Sequence, residues 1–432
     1  MATAVGRIVV VGASLAGWRV AESVRRNGFA GELVLIGEEP YEPYDRPPLS
    51  KTVLSGWIGT DKLALPHTPG LDARWVLGVA ATGVDRAAGT VHLADGRAIG
   101  YDRLVIATGA RARPWPVAAE AALGGVHLLR GREDADRLRA DLLAAPRRVL
   151  VIGGGFTGSE VASSCLDMGI PVTLVQRGPA PLSGALGTAV GAALGARQRA
   201  HGLDLRVGTT VQALAGEGRL TGALLSDGTP LDAEVAVVAL GSVRNTEWLS
   251  GAGLSADSGG VDCDTACRAI TLDGTPAEEV YVIGDAARWR HPPFDAPPAA
   301  FEHWGNAIEQ ADTAAHNLTH GGALCHTLGL PQFWSDQFGM NIKSVGLPHI
   351  ADRVMLAQGS CRRGPFVVVY GRDGVTVGAA AVDSPRVLDG YAALVADSAP
   401  FPPLIAANDS PATPLILDSG ATPQDLSLEG VR

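Results

Sequence analysis

Two stretches of the chain share one pattern of apolar and polar positions. In each, a continuous apolar run leads into a glycine-rich turn, a stripe of small apolar residues follows at helical spacing, and a second apolar run comes next. The first copy occupies residues 7–38 and the second residues 148–177. Continuous apolar runs are typical of strands covered on both faces. Each copy therefore predicts a strand–turn–helix–strand unit of a parallel sheet.

The turn of the first copy, GASLAG, has small residues at the three positions of a dinucleotide-binding fingerprint. Gly12 permits a tight turn, Ser14 leaves room for a pyrophosphate, and Gly17 lets the helix pack close to the strand. Glu38 ends the second strand, where a carboxylate binds ribose hydroxyls. We therefore predict a nucleotide whose phosphates lie at the N-terminus of the helix.

The turn of the second copy, GGGFTG, has Gly153, Gly155 and Gly158 at the same three positions. Its second strand ends in Gln176 and Arg177 instead of an acid. In one interpretation, the absence of a carboxylate removes the repulsion that would exclude the 2′-phosphate of NADPH, and Arg177 pairs with that phosphate. In the other, Gln176 binds the ribose of NADH and Arg177 points to solvent. The sequence leaves both open.

Three further apolar strands end in small or polar residues. YDRLVIATGA (101–110) ends in Thr-Gly, AEVAVVALGS (233–242) ends in Gly, and EVYVIGDAARW (279–289) places Gly284 and Asp285 just past a strand. An Asp in that place is suited to accept a hydrogen bond from a polyol. These strands extend the predicted α/β sheets.

Composition and charge narrow the possible functions. The 432 residues are enough for two or three domains, and 46% hydrophobic with 19% charged residues is ordinary for a soluble globular protein. A net charge of -10 argues against nucleic acid as the main partner, because such binding needs excess Lys and Arg.

Membrane insertion and secretion are not expected. No apolar run approaches the roughly 18 residues that span a bilayer. The N-terminal apolar run lacks a preceding basic segment, so we expect no signal peptide. Five scattered cysteines suit a reducing cytoplasm.

With these motifs the chain resembles the FAD-dependent pyridine nucleotide reductases, and among them the ferredoxin reductases of bacterial oxygenase systems, the putidaredoxin and rubredoxin reductase group. GASLAG, ATGA, GGGFTG and VIGDAA are shared across that superfamily. More specific are PPLSK, within YDRPPLSK (44–51), FEHWGNAIEQA (301–311) and FWSDQFGMNIKSVG (333–346). The resemblance covers about residues 6 to 400.

The resemblance implies two Rossmann-like dinucleotide-binding domains and a C-terminal α+β domain. A split FAD domain would comprise residues 1–112 and 247–325, with an NAD(P)H domain at 113–246 between its parts. The C-terminal domain would occupy residues 326–405. Residues 406–432, rich in Pro, Ser and Asp, are interpreted as an extended or poorly packed tail.

The resemblance also implies site residues. Those expected to contact FAD are Gly12, Ser14, Leu15, Ala16, Gly17, Glu38, Arg46, Lys51, Ala81, Ala107, Thr108, Gly109, Arg130, Gly284, Asp285, Trp304 and Trp334. Those expected to contact NAD(P)H are Gly153, Gly155, Phe156, Thr157, Gly158, Glu160, Gln176, Arg177 and Gly241.

Lys51 and Glu160 are the expected catalytic residues. Lys51 would lie near the reactive edge of the flavin, and Glu160 near the nicotinamide, where it could pair with Lys51. Alternatively, Lys51 is a surface residue after a proline turn, and Glu160 is a first-turn acid that benefits from the helix dipole. Trp334 is either a wall of the flavin pocket or an ordinary core residue.

The implied reaction converts a two-electron donor to a one-electron acceptor. NADH or NADPH would reduce FAD, which would pass single electrons to a ferredoxin with a 2Fe-2S cluster serving a haem-thiolate or Rieske-type oxygenase. Because such ferredoxins are acidic too, the docking face would need a basic patch, to which Arg288, Arg290 and Lys343 are candidate contributors.

Other functions were weighed against this one. An apoptosis-inducing-factor-like flavoprotein, in which nicotinamide binding is regulatory, stays open. A disulfide reductase is disfavoured, because the close pair Cys263 and Cys267 lies outside the redox positions of such enzymes. His316 and His320 share a helical face, but no acidic or Cys partner accompanies them, so we predict no metal site.

Overall fold

The computed structural model describes residues 5–66, 71–294, 296–320, 322–362 and 364–403, and the backbone of Leu415–Asp418. Its contacts divide the chain into two units. The first unit contains residues 1–45, 63–111 and 242–331, and the second contains residues 46–62, 112–241 and 332–432. Each unit is described by itself.

The first unit is built on a sheet that, within the described residues, has six strands. Their spatial order is Arg268–Ile270, Pro276–Val282, Arg103–Ile106, Arg7–Val11, Glu32–Gly37 and Arg74–Leu77, and only the Arg268–Ile270 strand is antiparallel to its neighbour. The remaining strands of this unit are Ala81–Asp85, Thr90–Leu93, Ala98–Gly100, Ala110–Ala112, Ser242–Arg244, Ala256–Asp257, Gly260–Asp262, Ala287–Trp289 and Ala299–Ala300.

Two helices of the first unit, Leu15–Arg26 and Trp304–Thr319, pack against each other beside this sheet. Buried alanines on the second helix, among them Ala311 and Ala315, let the two helices lie close together. The Arg19–Asp312 ion pair, 2.8 Å long, joins their outer faces. Short 3-10 helices lie at Glu247–Leu249 and Gly284–Ala286.

The second unit contains a fully parallel sheet in the order Asp204–Val207, Val172–Gln176, Val149–Ile152, Val235–Val238 and Val126–His127. A three-stranded antiparallel sheet is formed by Val211–Glu217, Arg219–Leu225 and Pro230–Asp232. The helices of this unit are Ala118–Ala121, Arg132–Leu143, Phe156–Asp167, Ser183–Leu186, Thr188–Ala200 and Leu388–Ala396, with 3-10 helices at Pro47–Ser50, Thr60–Lys62, Pro348–Ile350 and Pro385–Val387.

The C-terminal part of the second unit is an antiparallel sheet. Its strands follow the order Gln332–Gln337, Met340–Gly346, Val375–Val382, Phe366–Arg372, Arg353–Gly359 and Leu415–Asp418. Leu415–Asp418 belongs to the segment that the sequence predicted to be a poorly packed tail, yet its backbone pairs with Arg353–Gly359. The rest of that predicted tail, apart from these four residues, lies outside the described residues.

The predicted fold class is confirmed. Both glycine-turn copies form parallel strand–turn–helix–strand units, and a mixed helix and antiparallel-sheet part follows them. The predicted domain boundaries remain a prediction. In the part of the chain that the structure describes, no helix is both long and apolar enough to cross a membrane.

Acid should destabilise the first unit through His291. Burial of its ring against Trp289 lowers the pKa of His291 to about 4. Between pH 6.5 and 4 the unfolded chain therefore binds a proton that the folded chain does not, so stability falls as pH falls. From pH 6.5 to 5 this loss is about 2 kcal/mol.

The His291→Phe variant should therefore lose less thermal stability than the unmodified protein when pH is lowered from 7 to 5. The measurement is the difference in melting temperature between the two pH values. The exposed His92, changed to Gln, is the control and should behave as the unmodified protein. Equal losses in all three proteins would contradict the assignment.

Candidate active site

The first glycine turn is shaped by backbone contacts that exclude a side chain. Gly12 has φ +115°, and a Cβ there would lie 2.0 Å from the carbonyl oxygen of Ala107. A Cβ on Gly17 would lie 1.8 Å from the carbonyl oxygen of Gly12. The helix Leu15–Arg26 therefore begins directly above the strand end, with Ser14 as its N-cap residue, as the predicted phosphate site at its N-terminus requires.

Other residues predicted to contact FAD surround this turn in the first unit. Glu38 follows the strand Glu32–Gly37, is exposed, and has no polar partner among the described residues, so its carboxylate is available to ribose hydroxyls. A Cβ on Gly284 would lie 3.1 Å from the Cβ of Ala16, which brings the GDA turn beside the start of the first helix.

A buried glutamine fixes the Gly284 turn. Gln310 is fully buried on helix Trp304–Thr319, and its Oε1 accepts a hydrogen bond of 2.8 Å from the N–H of Gly284. Asp285, which is predicted to accept a hydrogen bond from a polyol, is the next residue. Gln310 was not among the predicted FAD contacts, although it lies within the FEHWGNAIEQA motif.

The ATGA segment (107–110) is hydrogen-bonded to Asn245. Thr108 Oγ1 donates to the carbonyl oxygen of Asn245 at 2.7 Å, and Asn245 Nδ2 donates to the carbonyl oxygen of Thr108 at 2.9 Å. Gly109 has φ +63° and accepts from the N–H of Asn245. Because the Thr108 hydroxyl and the Asn245 amide both bond to backbone, they hold the ATGA loop in place.

The second glycine turn repeats the geometry of the first. Gly153 has φ +111°, and a Cβ there would lie 2.3 Å from the carbonyl oxygen of Ala239. A Cβ on Gly158 would lie 1.9 Å from the carbonyl oxygen of Gly153. Gly155 is exposed at the N-cap of helix Phe156–Asp167. Apart from its chain neighbours and the adjacent helix backbone, no atom of the described residues lies within 4 Å of the place that a Cβ would take. The turn therefore fits a second dinucleotide.

The strand after the second glycine turn is Val172–Gln176, and Gln176 and Arg177 stand at its end in place of an acid that could bind a ribose. Gln176 Oε1 accepts a hydrogen bond of 2.8 Å from the N–H of Gly154, which fixes the side-chain amide, and the amide N–H₂ supplies donors. Arg177 is exposed and has no polar partner among the described residues. Both side chains therefore offer donors at this point.

Lys51 and Glu160 form the predicted pair within the second unit. Lys51 Nζ lies 2.7 Å from Glu160 Oε2, and the side chains are 21% and 9% exposed. Lys51 follows the 3-10 helix Pro47–Ser50, whose prolines start the turn, and its Nζ also donates to the carbonyl oxygen of Pro47 at 3.2 Å. Lys51 is thus not the surface residue of the alternative interpretation.

Two serines that the sequence analysis did not select complete the environment of Glu160. Ser50 Oγ donates to Glu160 Oε2 at 2.5 Å, and Ser335 Oγ donates to Glu160 Oε1 at 2.6 Å. Ser335 is fully buried in the strand Gln332–Gln337. The signal in the sequence that could have identified Ser335 was its place directly after Trp334 in a strand, because neighbouring residues of a strand face opposite sides.

The remaining predicted residues are placed as follows. Trp304 begins its helix and is 41% exposed, and Trp334 is 37% exposed on the opposite face of its strand from Ser335. Arg46 donates to the carbonyl oxygen of Arg130 at 2.9 Å.

Phe156 and Thr157 form the first turn of their helix. Phe156 packs on Phe333 with ring centroids 4.4 Å apart. Ala81 starts the strand Ala81–Asp85, and Gly241, at φ +87°, accepts from the N–H of Arg113. Of the predicted FAD contacts, Arg46, Lys51, Arg130 and Trp334 belong to the second unit and all others to the first.

The cysteines are poorly suited to thiolate chemistry. All five are free thiols, and only Cys325 is exposed. Burial raises the pKa of the Cys165 and Cys361 thiols to about 12, and it raises the pKa of Cys263 and Cys267 as well. Reactive thiols have a lowered pKa, so these four side chains act as apolar core residues.

The candidate metal and docking residues have local partners. The rings of His316 and His320 stack at 4.4 Å, and the described residues contain no group of three or more His, Cys, Asp or Glu that could hold a metal. Arg288 donates to Asp262 at 2.6 Å and to Asp257 at 2.8 Å, so two carboxylates compensate its charge. Arg290 donates to the carbonyl oxygen of Ala296.

Two dinucleotide cradles and a buried Lys–Glu pair in one chain define a flavoprotein that takes electrons from a nicotinamide nucleotide. Comparison with known proteins agrees. Residues 6–314 match the pyridine nucleotide-disulphide oxidoreductase family, and residues 332–415 match the reductase C-terminal family.

Similar proteins extend over nearly the whole chain. Rhodocoxin reductase of Rhodococcus erythropolis is 34% identical over 405 residues, 93% of this chain and 92% of that protein. Putidaredoxin reductase of Pseudomonas putida is 33% identical over 412 residues, 93% of this chain and 94% of that protein. The reductase in a crystal structure of the covalent putidaredoxin reductase–putidaredoxin complex aligns with a TM-score of 0.84 at 32% identity, covering 91% of this chain and 94% of that chain.

The chain belongs to the pyridine nucleotide-disulphide oxidoreductases, in the group that includes the putidaredoxin and rhodocoxin reductases. It is a FAD-dependent oxidoreductase that uses NAD(P)H. The predicted family and cofactors are therefore confirmed, while the roles of individual site residues remain predictions.

Removing both partners of the Lys51–Glu160 pair should cost less stability than the sum of the two single removals. Glu160→Gln leaves a largely buried ammonium without its counter-ion, whereas Lys51→Met with Glu160→Gln removes both charges. After allowance for the partly exposed lysine, we expect each single variant to lose about 1–3 kcal/mol and the double variant to lose less than the sum.

The measurement is chemical denaturation of the four proteins of this cycle. The exposed pair Arg147 and Glu234, 84% and 35% exposed, provides the matched control, whose coupling should stay below about 1 kcal/mol. Equal coupling energies in the two cycles would show that burial does not strengthen the Lys51–Glu160 pair.

Proposed function

We propose that this chain is a ferredoxin–NAD(P)+ reductase that supplies single electrons to a ferredoxin with a 2Fe-2S cluster, and through it to a haem-thiolate or Rieske-type oxygenase. The observation that carries the proposal is the presence of two glycine cradles with a buried Lys51–Glu160 pair, in a chain whose buried thiols have raised pKa values. Support also comes from relatives named ferredoxin–NAD(P)+ reductase in a Sphingomonas species and putidaredoxin reductase.

The residues of the chain have separate tasks in this proposal. The helix after Gly12 and the carboxylate of Glu38 bind FAD, which when bound accepts a hydride and releases electrons singly. The helix after Gly153 binds the nicotinamide nucleotide. Lys51 places a positive charge at the predicted flavin edge, and Glu160 holds that charge in position at 2.7 Å. We place the protein in the cytoplasm, because its cysteines are free thiols.

We further propose that the nucleotide site accepts NADPH at least as well as NADH. One lone pair of Gln176 Oε1 accepts from the N–H of Gly154, and the Gln176 amide N–H₂ and the Arg177 guanidinium both supply donors. A ribose diol needs an acceptor for its hydroxyl protons, whereas a 2′-phosphate consists of acceptors. The donors at Gln176 and Arg177 therefore match the phosphate better.

The Arg177→Ala variant should lose affinity for NADPH and keep its affinity for NADH. The loss of one charge-assisted contact should raise the NADPH dissociation constant about 10-fold, with a change below about twofold for NADH. Anaerobic stopped-flow bleaching of the visible flavin band measures both. Arg206→Ala, which removes a surface charge already paired with Asp204, is the control. An unchanged NADPH to NADH ratio in Arg177→Ala would contradict the phosphate assignment.

Rapid reduction of a small acidic 2Fe-2S ferredoxin tests the main proposal. The protein is reduced anaerobically with NADPH or NADH and mixed with oxidised ferredoxin, and ferricyanide serves as a non-protein acceptor. We expect ferredoxin reduction in single turnovers that keep pace with flavin bleaching. Fast bleaching and fast ferricyanide reduction, with ferredoxin reduction slower by about 100-fold or more, would instead favour a regulatory flavoprotein.

A further inference from the structure

Ser335 is the one hydroxyl that reaches Glu160 from the C-terminal sheet in the described residues. It is fully buried, and its Oγ donates to Glu160 Oε1 at 2.6 Å, while Lys51 and Ser50 both donate to Oε2. The two oxygens of the carboxylate are thus held from opposite sides. Loss of the Ser335 hydroxyl would leave Oε1 without its partner and the carboxylate free to turn.

A chain of hydrogen bonds runs from Gln198 through Gln337 to Ser335, and each donor in it points toward Ser335. Gln198 Nε2 donates to Gln337 Oε1 at 3.0 Å, and Gln337 Nε2 donates to Ser335 Oγ at 2.9 Å. Both glutamines are buried. Because Gln337 donates to the oxygen of Ser335, the hydroxyl proton of Ser335 is directed to Glu160. Gln198 Oε1 has no hydrogen-bond partner among the described residues, so this buried chain carries a cost, and its alignment toward one carboxylate indicates a purpose beyond packing.

Lysine itself is rare in this chain. It contains three lysines, Lys51, Lys62 and Lys343, among 35 Lys and Arg residues. Lys51 is the one held by a buried carboxylate, whereas the side chain of Lys62 is 72% exposed. An ammonium is a compact charge on a flexible stem, so its position depends on its partner. The Glu160 carboxylate at 2.7 Å and the Pro47 carbonyl oxygen at 3.2 Å both hold the ammonium of Lys51. The carboxylate is the charged and closer partner, so its orientation helps to fix where the Lys51 charge lies.

We propose that Ser335 is a positioning residue for the hydride transfer to FAD: it fixes the Glu160 carboxylate, and through it the Lys51 ammonium. The inference rests on the proposed roles of Lys51 and Glu160 in that step. It assigns a part in the chemistry to the C-terminal sheet through a side chain that does not touch the reacting atoms. Gln337 and Gln198 act behind Ser335 by orienting its hydroxyl.

The first test measures the reactivity of Lys51 without any turnover. Purified holoprotein is acetylated with an N-hydroxysuccinimide ester, and peptide mass spectrometry gives the rate at Lys51 relative to exposed Lys62. Ser335→Ala should raise this ratio about threefold or more, because it removes a charge-assisted hydrogen bond from the carboxylate that holds the amine. Ser335→Thr, which keeps the hydroxyl, should restore the original ratio.

Ser344→Ala is the matched control. Ser344 is buried on the neighbouring strand Met340–Gly346, opposite Phe333, and its hydroxyl has no hydrogen-bond partner among the described residues. It should leave the labelling ratio unchanged. Should Ser335→Ala not fold, Ser335→Cys keeps the volume with a weak donor and is expected to behave as the Ala variant does. Equal ratios in the Ser335 and Ser344 variants would overturn the proposal.

The second test is a double-mutant cycle on the limiting rate of flavin reduction. Ser335→Ala alone should lower this rate about 10-fold with a change below about threefold in the nucleotide dissociation constant, and it should add nothing in the Glu160→Gln background. Additive effects would overturn action through Glu160. If Glu160→Gln leaves the rate unchanged while Ser335→Ala still raises Lys51 labelling, the catalytic role of the pair fails and the positioning contact stands.

Discussion

The close approach of backbone to backbone at two glycine turns constrains much of this structure. At Gly12 and Gly153 a carbonyl oxygen of the neighbouring strand lies where any side chain would begin, within 2.0 Å and 2.3 Å. Each helix can therefore start directly at the strand end, where its first N–H groups are predicted to bind the phosphates of a dinucleotide. A larger residue at either position would move the helix away and would remove the site with it.

The predicted catalytic residues depend on a different kind of interaction. A lysine and a glutamate distant in sequence meet in a mostly buried pair, and the carboxylate is held further by two hydroxyls. Such a pair contributes little net stability, because both charges lose hydration on burial. Its value lies in a fixed charge at a defined place, which is what a hydride acceptor requires of the protein around it.

Much of the fold could be predicted from local patterns. The apolar runs, the fingerprints and the acid at Glu38 each depend on neighbouring residues, and the structure places all of them as predicted. Strand Leu415–Asp418 was missed, because an edge strand is defined by the partner it pairs with and its own composition resembled a tail. Gln310 and Ser335 were missed because they are ordinary polar residues that hydrogen-bond to residues distant in the sequence. Gln310 bonds to Gly284, and Ser335 bonds to Glu160.

The sequence by itself determined that this chain has two dinucleotide cradles, because a glycine turn between an apolar strand and a helix is a local requirement of backbone geometry. It also indicated Lys51 and Glu160 through a family resemblance. Only the tertiary structure decided that these two side chains meet at 2.7 Å, that Gln176 Oε1 accepts from the N–H of Gly154, and that Arg288 is compensated by two carboxylates. Hydrogen bonds and ion pairs join residues tens to hundreds of positions apart, and no local pattern encodes which groups will meet.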